Sequence, residues 1–164
     1  MVASRRLYFL LALGVLPFLV SFFWAPAASA GFAYDLVLLL AVALDACLTQ
    51  RPRFVTGARD VHERLSIGRS NQVLINIYNQ GKAALSCRLR DDFPKSMEAD
   101  VSEFRFDIRA GAMASLAYSL TPRQRGSYDF GNINLRYSSR LGLLWISRTV
   151  KAPMAVRVFS DLKA

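Results

Sequence analysis

Val73-Leu74-Ile75-Asn76-Ile77-Tyr78-Asn79 places Val73, Ile75 and Ile77 on one parity and Leu74, Asn76 and Tyr78 on the other. Successive side chains of an extended chain point to opposite faces, so a period of two marks a half-buried strand. The same period continues towards the C-terminus. It is carried by Leu85, Cys87 and Leu89, by Phe104, Phe106 and Ile108, by Leu116, Tyr118 and Leu120, and by Tyr128 and Phe130. Ile133, Leu135 and Tyr137 repeat it, and Val156 and Val158 close it. Turn-forming pairs separate these runs: Gln80-Gly81, Phe93-Pro94, Ala110-Gly111, Thr121-Pro122, Arg125-Gly126, Gly131-Asn132 and Leu141-Gly142. No three-turn helical pattern follows Gln50. About seven or eight short antiparallel strands with such punctuation predict an immunoglobulin-like β-sandwich over residues 51–164. The Cys…Trp…Cys pattern of antibody domains is absent, so the expectation is the broader sandwich class.

Upstream of this region the periodicity and the charge both change. Arg5 and Arg6 balance Asp35 and Asp45 in the first fifty residues, so the formal net charge of +9 lies wholly after Gln50. Residues 7–24 carry no charge, and residues 32–48 are apolar except for Asp35 and Asp45. A membrane-crossing helix needs roughly 17–25 such residues. The expectation is a transmembrane helical hairpin, a membrane anchor over residues 1–50 with spans at about 7–24 and 32–49. Ala25-Pro26-Ala27-Ala28-Ser29-Ala30-Gly31 would be its breaker. Arg5 and Arg6 precede the first span, Arg51, Arg53, Arg59 and Arg64 follow the second, and the connecting segment has no Lys or Arg. By the positive-inside rule both ends are then cytoplasmic. The alternative is a signal peptide cleaved near Ala30, with Arg5 and Arg6 as its basic start and Ala28-Ser29-Ala30 as its small-residue motif. That reading leaves an envelope-facing binding module, secreted or anchored.

Asp45 is the polar residue that needs an account. An ionisable group within a span is either paired or functional. About six residues of helix separate it from Arg51, and a hairpin would bring it near Arg5 and Arg6. The expected partner is Arg6, in an ion pair tying the two helices together. Cys47 and Cys87 are too differently placed to bridge, and read as reduced apolar residues.

Several chemistries are excluded by what is missing. One His does not build a histidine metal site. Neither a phosphate-binding G-x-x-x-x-G-K-[ST] loop nor a G-x-S-x-G elbow occurs. His62, in Asp60-Val61-His62-Glu63-Arg64, reads as a solvated side chain. Asp91-Asp92 reads as a solvated strand end, because consecutive strand residues diverge and acid–base catalysis needs convergence. No enzyme, cofactor or metal is expected. The basic residues are dispersed along alternating strands, without a basic run or an aromatic nucleic-acid motif. Nucleic acid is therefore not an expected partner, and attraction to an anionic bilayer accounts for the charge.

The order of motifs resembles the bacterial "domain of unknown function 58" (DUF58) membrane proteins. Arg51-Pro52-Arg53, Glu63-Arg64-Leu65-Ser66-Ile67-Gly68, the 73–79 run with Gly81, and Arg90-Asp91-Asp92-Phe93-Pro94 resemble successive family elements. Tyr118-Ser119-Leu120-Thr121-Pro122, followed by Arg125-Gly126-Ser127-Tyr128-Asp129-Phe130-Gly131, resembles the strongest signature. Leu135-Arg136, Ser139 and Leu141-Gly142-Leu143 resemble a further one, and residues 156–162 resemble the last. Arg140 stands where Pro is usual, and Phe159-Ser160 where Tyr-Pro is usual. The resemblance covers the N-terminal half of such proteins, which continue into a von Willebrand A-like domain. It implies a non-enzymatic scaffold or interaction module at the bacterial inner membrane, associated with a MoxR-type AAA+ ATPase. Read from the residues themselves, the signature is structural. Gly126, Gly131 and Gly142 suit turns or bulges, Tyr128 and Phe130 fill the core from one face, and Arg125 caps or pairs at a strand end.

Overall fold

The computed structural model describes residues 1–160, so Asp161 and Leu162 of the last motif lie outside the described residues. The chain divides into two units, residues 1–50 with 138–146, and residues 51–137 with 147–164.

In the first unit, strand β1 (Val2–Ala3) pairs antiparallel with Trp145 and Leu144. Helix α1 (Arg5–Val20) follows, its first turn capped by the Ser4 hydroxyl, which accepts from the Leu7 N–H at 3.3 Å. Helix α2 (Ala27–Leu48) comes next. The expected pair of spans is corrected here, because one helix among the described residues is long and apolar enough to cross a membrane. The 16 residues of α1 rise about 24 Å, short of the roughly 30 Å hydrocarbon layer, whereas the 22 of α2 rise about 33 Å. After Val20 the chain turns through Phe22 and Phe23, whose N–H groups bond Leu19 and Val20 carbonyls in tight turns. The breaker is also shorter than expected. Ala27, Ala28 and Ala30 are strong helix formers, so α2 starts directly after Pro26.

The two helices pack through small residues. A Cβ on Gly31 would meet the Phe18 ring at 2.9 Å, and one on Gly14 would meet Tyr34 at 3.0 Å. Phe18 and Phe32 stack edge to face at 5.2 Å, and the Tyr34 hydroxyl donates to the Leu10 carbonyl at 2.9 Å. At the other end Leu7, Leu38, Leu143 and Leu144 form a small buried cluster.

The second unit is an all-β sandwich. A short 3-10 turn (Pro52–Phe54) leads into β2 (Val55–Val61), β3 (Arg64–Ser66), β4 (Asn71–Asn79), β5 (Leu85–Asp91), β6 (Met97–Ala99) and β7 (Phe104–Ile108). Then come β8 (Met113–Pro122), β9 (Gly126–Phe130), β10 (Ile133–Ser138), β11 (Leu144–Val150) and β12 (Met154–Phe159). One sheet runs β2-β4-β8-β6, a second β11-β10-β5-β7 and a third β3-β12-β9. Among the described residues β12 pairs parallel with β3, while β2 with β4, β4 with β8, β6 with β8, β5 with β7, β5 with β10 and β9 with β12 pair antiparallel. Each alternation read from the sequence is a strand whose apolar parity faces inward. Val73, Ile75, Ile77, Leu89, Leu120, Ile133, Leu135, Tyr137 and Val156 are almost fully buried. Four strands carried no such signal: the three-residue β3 and β6, too short to show a period, β2, which includes Arg59 and Asp60, and β11.

Cys87 belongs to this core, opposite Tyr137 on β10. Burial, aided by the Asp107 carboxylate, pushes its thiol up to about 12 from 9.0. The fold therefore prefers the neutral thiol. Its contribution to stability is complete below pH 9, where the unfolded thiol begins to ionise, and is lost as pH rises towards 12. In a Cys47→Ser variant, iodoacetamide at pH 8 is expected to leave Cys87 unmodified for hours, and guanidinium to expose it at once. Prompt native-state labelling would contradict its place in the core.

Candidate functional site

The polar atoms of the first unit converge on Asp45, in the last turn of α2. The residue is fully buried. A carboxylate at this position faces the negative end of the helix dipole, so it needs donors from elsewhere. The loop from Ser139 to Leu144 supplies them. Leu141 N–H donates to Oδ1 at 2.7 Å, while the Ser139 hydroxyl at 2.5 Å and Leu143 N–H at 3.2 Å donate to Oδ2. The Ser139 hydroxyl in turn accepts from Leu144 N–H at 2.8 Å. Beside it, Thr49 Oγ1 accepts from Arg140 N–H at 3.2 Å, and its own hydroxyl donates to the Asp45 carbonyl. Gly142 makes the convergence possible. Its φ of +75° is the left-handed region, which turns the flanking Leu141 and Leu143 N–H groups towards one point.

The expected partner of Asp45 was Arg6. The structure instead gives the carboxylate to one hydroxyl and two backbone N–H groups. The Arg6 guanidinium lies against Gly142, with Nη1 3.0 Å from where a Cβ on that glycine would stand. The physical reason is reach. The loop delivers three directed donors to a fully enclosed carboxylate, and hydrogen bonds of this kind satisfy an anion as a cation does.

A second polar cluster lies inside the sandwich. Arg59 on β2 and Asp91 at the end of β5 form an ion pair with side chains only 1% and 3% exposed. Arg59 Nε donates to Asp91 Oδ2 at 3.0 Å, and Nη2 to Oδ1. Nη1 donates to the Ala152 carbonyl at 2.7 Å and Nη2 to the Gly131 carbonyl at 3.1 Å. The guanidinium also sits 4.6 Å over the Phe130 ring. Tyr118 completes the set by donating to Asp91 Oδ2 at 2.6 Å. Burial, followed by that hydrogen bond, holds its phenol protonated far above the usual range. Asp91 is thus not the solvated strand end expected of it. Asp91 turns inward and Asp92 outward, as alternation requires, and the inward one met Arg59.

The signature residues divide in the same way. Phe130 is 1% exposed and Gly131 bonds its carbonyl to Arg59. Tyr128 is half-buried, its hydroxyl donating to the Gln124 carbonyl at 3.2 Å. Gly126, exposed at the start of β9, has a φ of +151°, and Arg125 just before it is exposed. His62 is exposed. A cleft of about 410 Å³ opens between Arg64, Ser127, Arg157 and Phe159. No group of three metal-ligating side chains occurs among the described residues. Sequence reasoning missed Ser139, Thr49, Arg59 and Tyr118 as polar partners. Both clusters present satisfied anions enclosed by protein, an arrangement that holds structure together.

No family model matches the chain, and no curated protein matches it. Solved structures do. Escherichia coli alpha-2-macroglobulin is similar at 12% identity with a TM-score of 0.50, over 65% of this chain and 7% of that one. The CARDB domain of a Pyrococcus furiosus protein is similar at 14% identity with a TM-score of 0.47, over 65% and 94%. The cupredoxin domain of a Nitrosocaldus yellowstonii protein is similar at 15% identity with a TM-score of 0.40, over 68% and 89%. At these identities the likeness is one of fold.

Proposed function

We propose that the chain is a membrane-anchored, non-enzymatic interaction module, of the kind its motif order resembles in DUF58 proteins. The carrying observation is the apolar surface that the first unit leaves uncovered. Leu36, Val37, Leu39, Leu40 and Leu44 of α2 are all more than half exposed, as are Phe9, Val15, Leu16 and Leu19 of α1. A soluble fold does not leave contiguous apolar surface of this extent in water. Phe22 and Phe23, each 93% exposed, and Trp24 crown the turn between the helices, where an aromatic belt meets a membrane interface. In this reading α2 crosses the bilayer, and α1 lies against it in the same apolar layer. Arg5, Arg6 and residue 51 share the cytoplasmic side of the bacterial inner membrane. The sandwich is the presenting platform, and a MoxR-type AAA+ ATPase is the partner carried over from the family resemblance.

The full chain is expected to float with phosphatidylcholine vesicles and to stay with them at alkaline pH. Alkaline phosphatase fused after residue 60 is expected to be inactive in a bacterial host. A chain that stays out of the vesicles would overturn the anchor. An active fusion after residue 60, or cleavage near Ala30, would replace the cytoplasmic placement with an envelope-facing module.

A further inference from the structure

β7 is an outer strand of the second sheet, and among the described residues it pairs with β5 alone. An open backbone edge of this kind accepts another strand unless something blunts it. The other outer strands of the second unit are blunted. β3 and β6 have three residues each, β2 turns the charged Arg59 inward, and β9 opens on Gly126 with its φ of +151°. β7 has none of these devices. Phe104-Arg105-Phe106-Asp107-Ile108 contains no Pro, Lys or Gly, and it keeps unbroken register with β5 along all five residues.

The sequence around β7 is also its own complement. In Glu103-Phe104-Arg105-Phe106-Asp107-Ile108-Arg109 the charges invert about Phe106. When two copies run antiparallel and centre on Phe106, Arg105 falls opposite Asp107 of the second copy, and Glu103 opposite its Arg109. Two-fold symmetry repeats both pairs. All four residues share one parity, so the pairs stand on one face. On the other face Phe106 meets Phe106 and Phe104 meets Ile108. Ile108 is buried, whereas Phe104 and Phe106 are half-buried, so a neighbouring strand would cover rings that the chain leaves at the border of its core. Within one chain these charges are poorly served. Arg105 lies opposite Arg88, and its 3.2 Å contact with Glu103 is an exposed one of little worth. Asp107 lies opposite Ser86 and forms no ion pair among the described residues.

We infer that β7 pairs antiparallel with β7 of a second copy of this chain, centred on Phe106, and so joins the second sheets of the two copies. Charge complementarity selects the second copy as the occupant. It also selects the register, because centring on Arg105 or on Asp107 would set like charges opposite each other. The edge is short beside a stable dimer interface, so the pairing depends on concentration. The inference stands whether or not the chain is anchored in a bilayer.

The test uses the full chain in detergent, with Cys47→Ser leaving only the buried Cys87. Arg105→Cys chains are mixed with Asp107→Cys chains and oxidised with copper phenanthroline. Directly opposite residues of antiparallel strands have Cα atoms about 4.5–5.5 Å apart, within reach of a disulfide. A mixed disulfide dimer is expected, in yield well above either variant alone. A mixture of Ser127→Cys and Asp129→Cys chains, on the β9 edge, is expected to give little. Sedimentation equilibrium supplies a reading without cysteines: the unsubstituted chain is expected to dimerise as its concentration rises, and salt to weaken the dimer. Arg105→Glu is expected to weaken it at least about tenfold, since two ion pairs become two like-charge pairs. Asp107→Arg added to the same chain is expected to restore it. Both positions are exposed, and circular dichroism verifies that the variants are folded. A chain that stays monomeric at every concentration would overturn the inference and leave the edge to a strand from a different protein. Equal disulfide yields from the β7 and β9 mixtures would overturn it too, as would a folded double variant that does not regain the dimer.

Discussion

Replacing Asp45 by Ala is expected to release the loop from Ser139 to Leu144. Two backbone N–H groups and a hydroxyl that now end on the carboxylate would be left buried without acceptors. Each buried donor stranded in this way costs about 1–3 kcal/mol, so the loop loses about 3 kcal/mol of local stability even if the Ser139 hydroxyl turns to another acceptor. Arg140 is exposed in the middle of this loop, which makes trypsin the natural probe. Cleavage that requires local opening tracks the opening equilibrium, and about 3 kcal/mol corresponds to about a hundredfold faster cutting after Arg140. Asp45→Asn keeps one oxygen but points an amide donor at donors, so its effect should fall between the two. Rates at tryptic sites in the sandwich serve as the internal control. Equal cutting after Arg140 in Asp45→Ala and the parent would mean that the carboxylate does not hold the loop.

The second large effect is expected inside the sandwich. Removing one member of a buried ion pair leaves the other charged and enclosed, and typically costs about 3–5 kcal/mol. Arg59→Met and Asp91→Leu should therefore each consume a large part of a stability that is about 5–15 kcal/mol in all for such domains. Their combination should cost much less than the sum, because neither charge is then stranded. It will not be free, because the Tyr118 hydroxyl and the Ala152 and Gly131 carbonyls lose their partners. Urea unfolding of the full chain in detergent, followed by far-ultraviolet circular dichroism, measures the cycle. A coupling of at least about 2 kcal/mol is expected, and additive losses would show that the two groups are stabilised separately.

The strands were legible wherever a half-buried strand repeats its polarity, as Val73 to Asn79 and Ile133 to Tyr137 do. That signal is local, and a window of a few residues contains it. β2 hid because its inward position 59 is an arginine, whose compensation by Asp91 lies 32 residues away. The account of Asp91 and Asp92 illustrates the limit. Alternation correctly sent them to opposite faces, but only the packed sheet tells which face is the interior. Asp45 was recognisable as a residue needing a partner. Charge alone points to Arg6, which lies nearby in a helical pair. The donors that serve it are mostly backbone groups, which every residue carries and which leave no mark in a sequence. Gly142 is their visible trace, and in the sequence it marks a turn without showing the residue that the turn serves. The length of α1 was legible only in part, since an uncharged run does not say where a helix stops.

Asp45 and Ser139 are separated by 94 residues. At about 5–20 residues per second, synthesis of that interval takes roughly 5–20 s. The carboxylate of α2 therefore leaves the ribosome long before the loop that will enclose it exists, and during that time water must be its partner. In the anchored arrangement proposed above, a hydrated anion at the end of an apolar helix resists being drawn deeper, so it would fix how far α2 sinks while the rest of the chain is still being made. Only when β10 and β11 emerge does the loop replace water, and the setting becomes permanent. In that arrangement the same residue would serve first as a float during biogenesis and afterwards as a lock.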